Sequence, residues 1–154
     1  MLVLGLVAGL IFLGLSHNNY SRDLAVRAEL ETMYTLITYL HYYALATAQD
    51  QELSFDCVRN AYTYRNITRS LGSGVVFGVV PGTQGPPSNP VRDISSPVTF
   101  ANSALVCSAQ GVLSSGAVYL VDAQKKCGYA LSVAVGTGSV LKKYRYGTTW
   151  VEVA

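Results

Sequence analysis

The sequence predicts an α+β chain: a long N-terminal α-helix packed on a C-terminal antiparallel β-sheet head. Three observations predict it. Met1–Leu15, MLVLGLVAGLIFLGL, carries no charge, no proline and no polar side chain. From Leu24 onward Val26, Leu30, Met33, Ile37, Leu40, Ala44 and Ala48 recur at steps of three and four, which is one stripe of an amphipathic helix. Beyond Gln51 the composition turns to β-branched and aromatic residues punctuated by Gly, Ser, Asn and Pro.

The helix comes first. No proline interrupts Met1–Ala48, and glycine is confined to the apolar third. One continuous helix over this stretch is about 70 Å long. Its first part, residues 1–22, opens with Met1–Leu15, apolar all round, and predicts a membrane or helix-bundle environment. Residues 23–50 are apolar on one face only, with Arg22, Asp23, Arg27, Glu29 and Glu31 mostly on the other side, and predict a globular partner. Taken alone, Met1–Leu15 makes about 22 Å of helix. A bilayer core of about 30 Å asks for about 20 apolar residues, so the run is about five residues short of a span.

Residues 51–154 form the predicted β-rich head. Candidate strands are Leu53–Val58, Ala61–Arg65, Gly74–Val80, Pro97–Ala101, Ala104–Ser108, Gly116–Asp122, Cys127–Val135, Ser139–Tyr146 and Thr149–Val153. In-and-out alternation at Val118 and Leu120, then Tyr129, Leu131 and Val133, predicts antiparallel pairing with one face buried. Pro81–Pro90, PGTQGPPSNP, is predicted to be a turn-rich loop with little means of packing. VGTGSV, Val135–Val140, lies between strands and lacks a P-loop lysine, so it is predicted to be a hairpin turn and not a nucleotide site.

Composition excludes some chemistry and leaves other chemistry open. The net charge of +2 is too weak to imply an acidic partner by itself, and the mean hydropathy of +0.29 owes part of its value to the N-terminal run. His17 and His41 both fall on the helix without a metal-ligand partner at helical spacing. The head holds many serines but no histidine, which argues against a Ser–His nucleophile. Its carboxylates, Glu52, Asp56, Asp93, Asp122 and Glu152, are not spaced so as to nominate an acid and base pair. No catalytic residue, cofactor or metal is therefore predicted. Asn66-Ile67-Thr68 forms a glycosylation sequon that is read as chance. Tyr34, Tyr39, Tyr42 and Tyr43 are predicted to pack where the helix meets the sheet.

Two further groups stand out. Lys142, Lys143 and Arg145 are interleaved with Tyr144 and Tyr146. On a strand Lys143 and Arg145 share one face, and Lys142, Tyr144 and Tyr146 share the other. They either solvate an edge strand or offer a shallow nucleic-acid phosphate site aided by aromatic stacking. The three cysteines are either buried free thiols or, where the head reaches an oxidising compartment, hold one disulfide; in an exported head that bridge is expected between Cys107 and Cys127, which lie in predicted strands flanking Gly116–Asp122, with pairing to Cys57 left open.

Together these stretches resemble type IV pilin-like proteins, specifically the GspH/FimT family of minor pseudopilins. Met1–Leu15 with the amphipathic run to Ala48 is similar to the pilin spine. Gly74–Gly78, GVVFG, resembles the element that follows the family's first hairpin. Gly111–Asp122, GVLSSGAVYLVD, followed by Tyr129–Tyr146 resembles its C-terminal signature. The family's basic leader, its Phe-Thr-Leu-x-Glu segment and its helix proline have no counterpart here, and Ser16–Asn19 stands where the proline is expected. The expectation is that Met1 corresponds to an internal methionine, so that the helix shown lacks its first turn.

The resemblance implies a non-enzymatic structural subunit. It parks in the bacterial inner membrane as a single-pass protein with a periplasmic head, then enters a type II secretion pseudopilus or a type IV pilus. Implied partners are other pilin or pseudopilin subunits through the helix, the inner-membrane assembly platform, and prepilin peptidase acting on the precursor, with the N-terminal methylation that accompanies processing. No small-molecule substrate is implied. Two alternatives stand beside it. One is a DNA-binding minor pilin using Lys142, Lys143 and Arg145. The other is a secreted β-domain protein with Met1–Leu15 as its signal peptide, against which the missing basic n-region and cleavage site weigh.

Overall fold

The long apolar-to-amphipathic run folds as one helix, α1 (Leu2–Thr47), in the computed structural model, which describes residues 2–134 and 140–154, with side chains from Tyr20 onward. Val26, Leu30, Met33, Ile37, Leu40 and Ala44 of the predicted stripe are all fully buried. Ala48 is not part of it. It takes a left-handed φ of 50°, and the Gln49 N–H donates to the Ala44 carbonyl at 3.2 Å, closing the helix where a glycine is usual.

The stripe packs on two antiparallel sheets. The first has the order β3-β2-β1-β7, from β1 (Gln51–Asp56), β2 (Ala61–Tyr64), β3 (Ile67–Ser70) and β7 (Ala104–Cys107). The second has the order β11-β10-β9-β8-β4, from β4 (Val75–Phe77), β8 (Gly116–Asp122), β9 (Gly128–Val133), β10 (Leu141–Tyr146) and β11 (Trp150–Val153). Both sheets touch α1. Phe55 of β1 joins them by edge contact with Phe77 of β4, at 5.9 Å, and by stacking on Phe100, at 6.0 Å. One apolar core results, with the helix across it.

Several predicted strands are shorter than their sequence pattern, and one strand, β3, and one two-stranded pair carry no such pattern. β3 was hidden because Ile67–Ser70 is exposed throughout and shows no alternation. It forms because Arg65 and Asn66 both take positive φ, 45° and 64°, giving a two-residue hairpin turn whose twist matches the strands. The sequon asparagine thus sits at an exposed hairpin tip. Pro97–Ala101 makes one bridge, Val98 to Val118, before a single helical turn at Ala101–Ser103.

The Pro81–Pro90 expectation needs correction. That segment contributes β5 (Gln84–Gly85), which pairs with β6 (Arg92–Asp93), and the pair covers the outer face of the second sheet. There Ala117, Tyr119, Ala130 and Tyr144 form a second apolar cluster with Val79, Ile94 and Trp150. The Trp150 indole N–H donates to the Gln84 carbonyl at 2.7 Å. Glycine at 85 permits the approach, since a Cβ there would lie 2.6 Å from the Tyr119 hydroxyl oxygen. β8 and β9 are consequently buried on both faces, so their alternation marks two cores and not one core and solvent. The hairpin turn predicted at Val135–Val140 lies, apart from Val140, outside the described residues.

Candidate functional site

The helix is held on the head by a seam of polar contacts along the buried stripe. Arg22 Nη1 donates to Gln124 Oε1 at 2.6 Å. Asp23 accepts from the Tyr129 hydroxyl at 3.0 Å and from Arg145 at 3.1 Å. Glu29 accepts from the Gly72 N–H at 3.1 Å and the Tyr62 hydroxyl at 3.4 Å, and Glu31 pairs with Lys143 at 3.1 Å. Near the helix end the His41 ring donates from Nε2 to the Gly111 carbonyl at 2.9 Å. His41 is therefore a structural donor to the head, while the His17 side chain lies outside the described residues. Among the described residues no cluster of His, Cys, Asp and Glu is arranged to hold a metal.

The predicted face assignment on β10 holds: Lys143 and Arg145 both turn toward α1. All three predicted cations are ion-paired, Lys142 to Glu152 at 2.8 Å, Lys143 to Glu31 and Arg145 to Asp23. The Glu152 hydrogen bond and charge hold the Lys142 ammonium above its ordinary pKa. Lys143 also lies 4.8 Å from the Tyr34 ring centre. A phosphate would have to displace a carboxylate at each of these positions. Unpaired cationic charge sits elsewhere, and sequence reading missed it. Arg27, Lys125 and Lys126 are exposed and make no ion pair among the described residues.

The turn that carries those lysines is built on Asp122, which is 1% exposed. Its Oδ1 accepts from the N–H groups of Lys126, at 2.6 Å, and Cys127, at 2.8 Å; Oδ2 accepts from Gln124 at 3.2 Å. Burial raises the pKa of this carboxyl, but the hydrogen bonds from Cys127, Lys126 and Gln124 outweigh it and hold the group below its ordinary value. The signal for this was the aspartate at a hairpin start, which was legible only as turn chemistry.

The expected Cys107–Cys127 bridge is not made, and all three cysteines are free thiols. Cys107 ends β7 in the first sheet, fully buried in the core, while Cys127 sits beside the Asp122 carboxylate at the start of β9 in the second sheet. The two strands thought to flank β8 belong to different sheets. The tyrosine expectation is also corrected in part. Tyr39 and Tyr42 are 48% and 66% exposed, whereas Tyr34 and Tyr43 are half-buried. Arg65 lies 4.3 Å from the Tyr43 ring centre and donates to the Tyr39 hydroxyl at 3.3 Å.

A cleft of about 380 Å³ opens between β5–β6 and the outer face of β8–β9, with Arg92, Asp93, Thr99, Ser115, Tyr119 and Ser132 among its walls. Of its hydroxyls, Thr99 is engaged with the backbone of Ala117. Among the described residues no helix is long and apolar enough to cross a membrane; the side chains of Met1–Leu15, on which that expectation rests, lie outside them. Comparison with family models, curated proteins and solved structures finds no match to this chain.

Proposed function

We propose that the chain is a non-enzymatic structural subunit of a pilin-like filament, a type II secretion pseudopilus or a type IV pilus, supporting protein export. The observation that carries this reading is the docked part of α1 together with the apolar run that precedes it in sequence. The helix spans Leu2–Thr47, and among the described residues its seam with the head includes the stretch from Arg22 to Ala44. That seam is about 33 Å of a helix about 70 Å long. Within the stretch before it, Met1–Leu15 is uniformly apolar in sequence, and such a surface requires lipid or neighbouring helices. Away from the buried stripe α1 carries Tyr20, Leu24 and Tyr42, all exposed, which suits contact with adjacent subunits. The head, fixed to the helix by both sheets, then acts as a rigid outward module.

The test is photocrosslinking in a bacterium that assembles such filaments, with the gene expressed together with its upstream region. A crosslinker at Leu24 or Tyr42 should capture other pilin subunits, while one at buried Leu30 should capture only the chain's own head. Absence of subunit adducts and of prepilin-peptidase processing would remove the reading.

A further inference from the structure

We propose that the β8–β9 turn, with Arg22 and Arg27 of α1, is a basic collar that contacts the phosphate headgroups of an anionic membrane where the helix leaves the head. The inference rests on the membrane-resident stage of the proposed function and assigns its lipid partner.

Four cations meet at this end of the head. Arg22 is tied directly to the turn through Gln124, which places Lys125 and Lys126 beside the helix. Arg27 stands one helical turn after Asp23. Asp23 in turn holds the Tyr129 hydroxyl and Arg145, whose guanidinium lies 6.0 Å from the Tyr129 ring centre, so Arg27 is on the turn of helix next to this contact. Acidic groups nearby are already engaged. Asp23 is shared by Tyr129 and Arg145, and Asp122 is buried beneath the turn and used by backbone donors. Lys125 takes a left-handed φ of 55° within this clamped turn, so the two lysines are presented from a fixed backbone.

The axial position fits a membrane surface. Arg22 follows Leu15 by seven residues, which is about 10 Å of helix. The headgroup layer adds about 5–8 Å on each side of the hydrocarbon core. Surface charge is felt over a further distance of about 8–10 Å at moderate salt. The collar therefore lies within reach of phosphates when the apolar segment is in the bilayer. Extraction into a filament would break these contacts, so the collar favours the membrane-resident state.

The test uses the full chain, diluted from detergent onto vesicles of phosphatidylcholine alone or mixed with phosphatidylglycerol, and flotation as the readout. The expected result is stronger binding to the anionic vesicles, with the difference abolished by high salt. K125Q/K126Q should lose about 25-fold of that preference, about five-fold per lysine, and R27Q should lose a further share. Equal binding to both vesicle types, unchanged in the variant, would overturn the collar while leaving the helix reading intact. Binding to neither type would overturn both. Binding to anionic vesicles alone would remove the membrane-embedded helix and, with it, the placement of the collar at the bilayer surface. If a short DNA duplex bound with the same lysine dependence and displaced the chain from anionic vesicles, the site would be a general polyanion patch and the lipid assignment would fall.

Discussion

Asp122 does at one residue what several polar contacts do elsewhere: it closes a turn from inside. Replacing it with asparagine removes the charge and leaves only one oxygen for three backbone donors. Asp122→Asn should cost on the order of 2–3 kcal/mol at neutral pH, read by urea unfolding. Because the native carboxyl titrates below its ordinary value, its contribution is fully present above the unfolded value of about 3.9 and is lost as pH falls through the native one. The gap between wild type and variant should accordingly close in acid; a gap that persists there would show that shape, not charge, holds the turn. Gly116 makes a second local demand. A Cβ there would lie 2.5 Å from Phe100, and φ is +154°, so Gly116→Ala should cost about 1–3 kcal/mol by overpacking. Cys107 should resist a thiol reagent in the native state, and peptide mapping without reductant should find no bridge.

At the scale of elements, the helix stripe was legible because burial on one face forces a period of three to four. Leu40→Ala should cost about 2–5 kcal/mol, whereas Thr35→Ala on the exposed face should stay within about 0.5 kcal/mol; equal effects in urea titration would contradict the docking of α1. The strands of the double-faced pair β8–β9 were legible for the same reason. β3 and β5–β6 were not, because an exposed edge needs no apolar alternation and a loop's packing depends on what covers it. The basic strand illustrates a different limit. Lys142, Lys143 and Arg145 are conspicuous in sequence, but Glu31 and Asp23, the partners of Lys143 and Arg145, lie more than a hundred positions away and are brought near only by the fold. The less conspicuous pair Lys125–Lys126 is the one left unpaired. Reversing the partly buried pair tests the seam. K143E should lose about 1 kcal/mol of stability, and adding E31K should restore most of it. A double variant no better than the single would show that the pair does not set the helix position.

Across the whole molecule, the core is fastened by groups that must stay uncharged. Burial pushes the Cys107 thiol up to about 11 and the Tyr119 hydroxyl up to about 12. Burial, then the adjacent carboxylates, does the same for Cys127, about 11, and Tyr129, about 12. Their ordinary values are 9.0 for the thiols and 10.0 for the phenols. In the unfolded chain these groups lose protons near the ordinary values, while in the native chain they hold them longer. Their contribution is fully present below about pH 9 and is lost as pH rises through the native values. Stability measured in urea should thus hold level from neutral pH to about pH 9 and then decline steeply. Tyr119 and Cys107 act inside the head, but Tyr129 acts at the seam, bonded to Asp23 of α1. In Tyr129→Phe the alkaline slope should be shallower by up to about 1.4 kcal/mol per pH unit, and the neutral stability lower by the lost Asp23 bond. An unchanged slope would place Tyr129 in solvent. The helix would then be held on the head by its apolar stripe without the polar seam around Arg22 and Asp23.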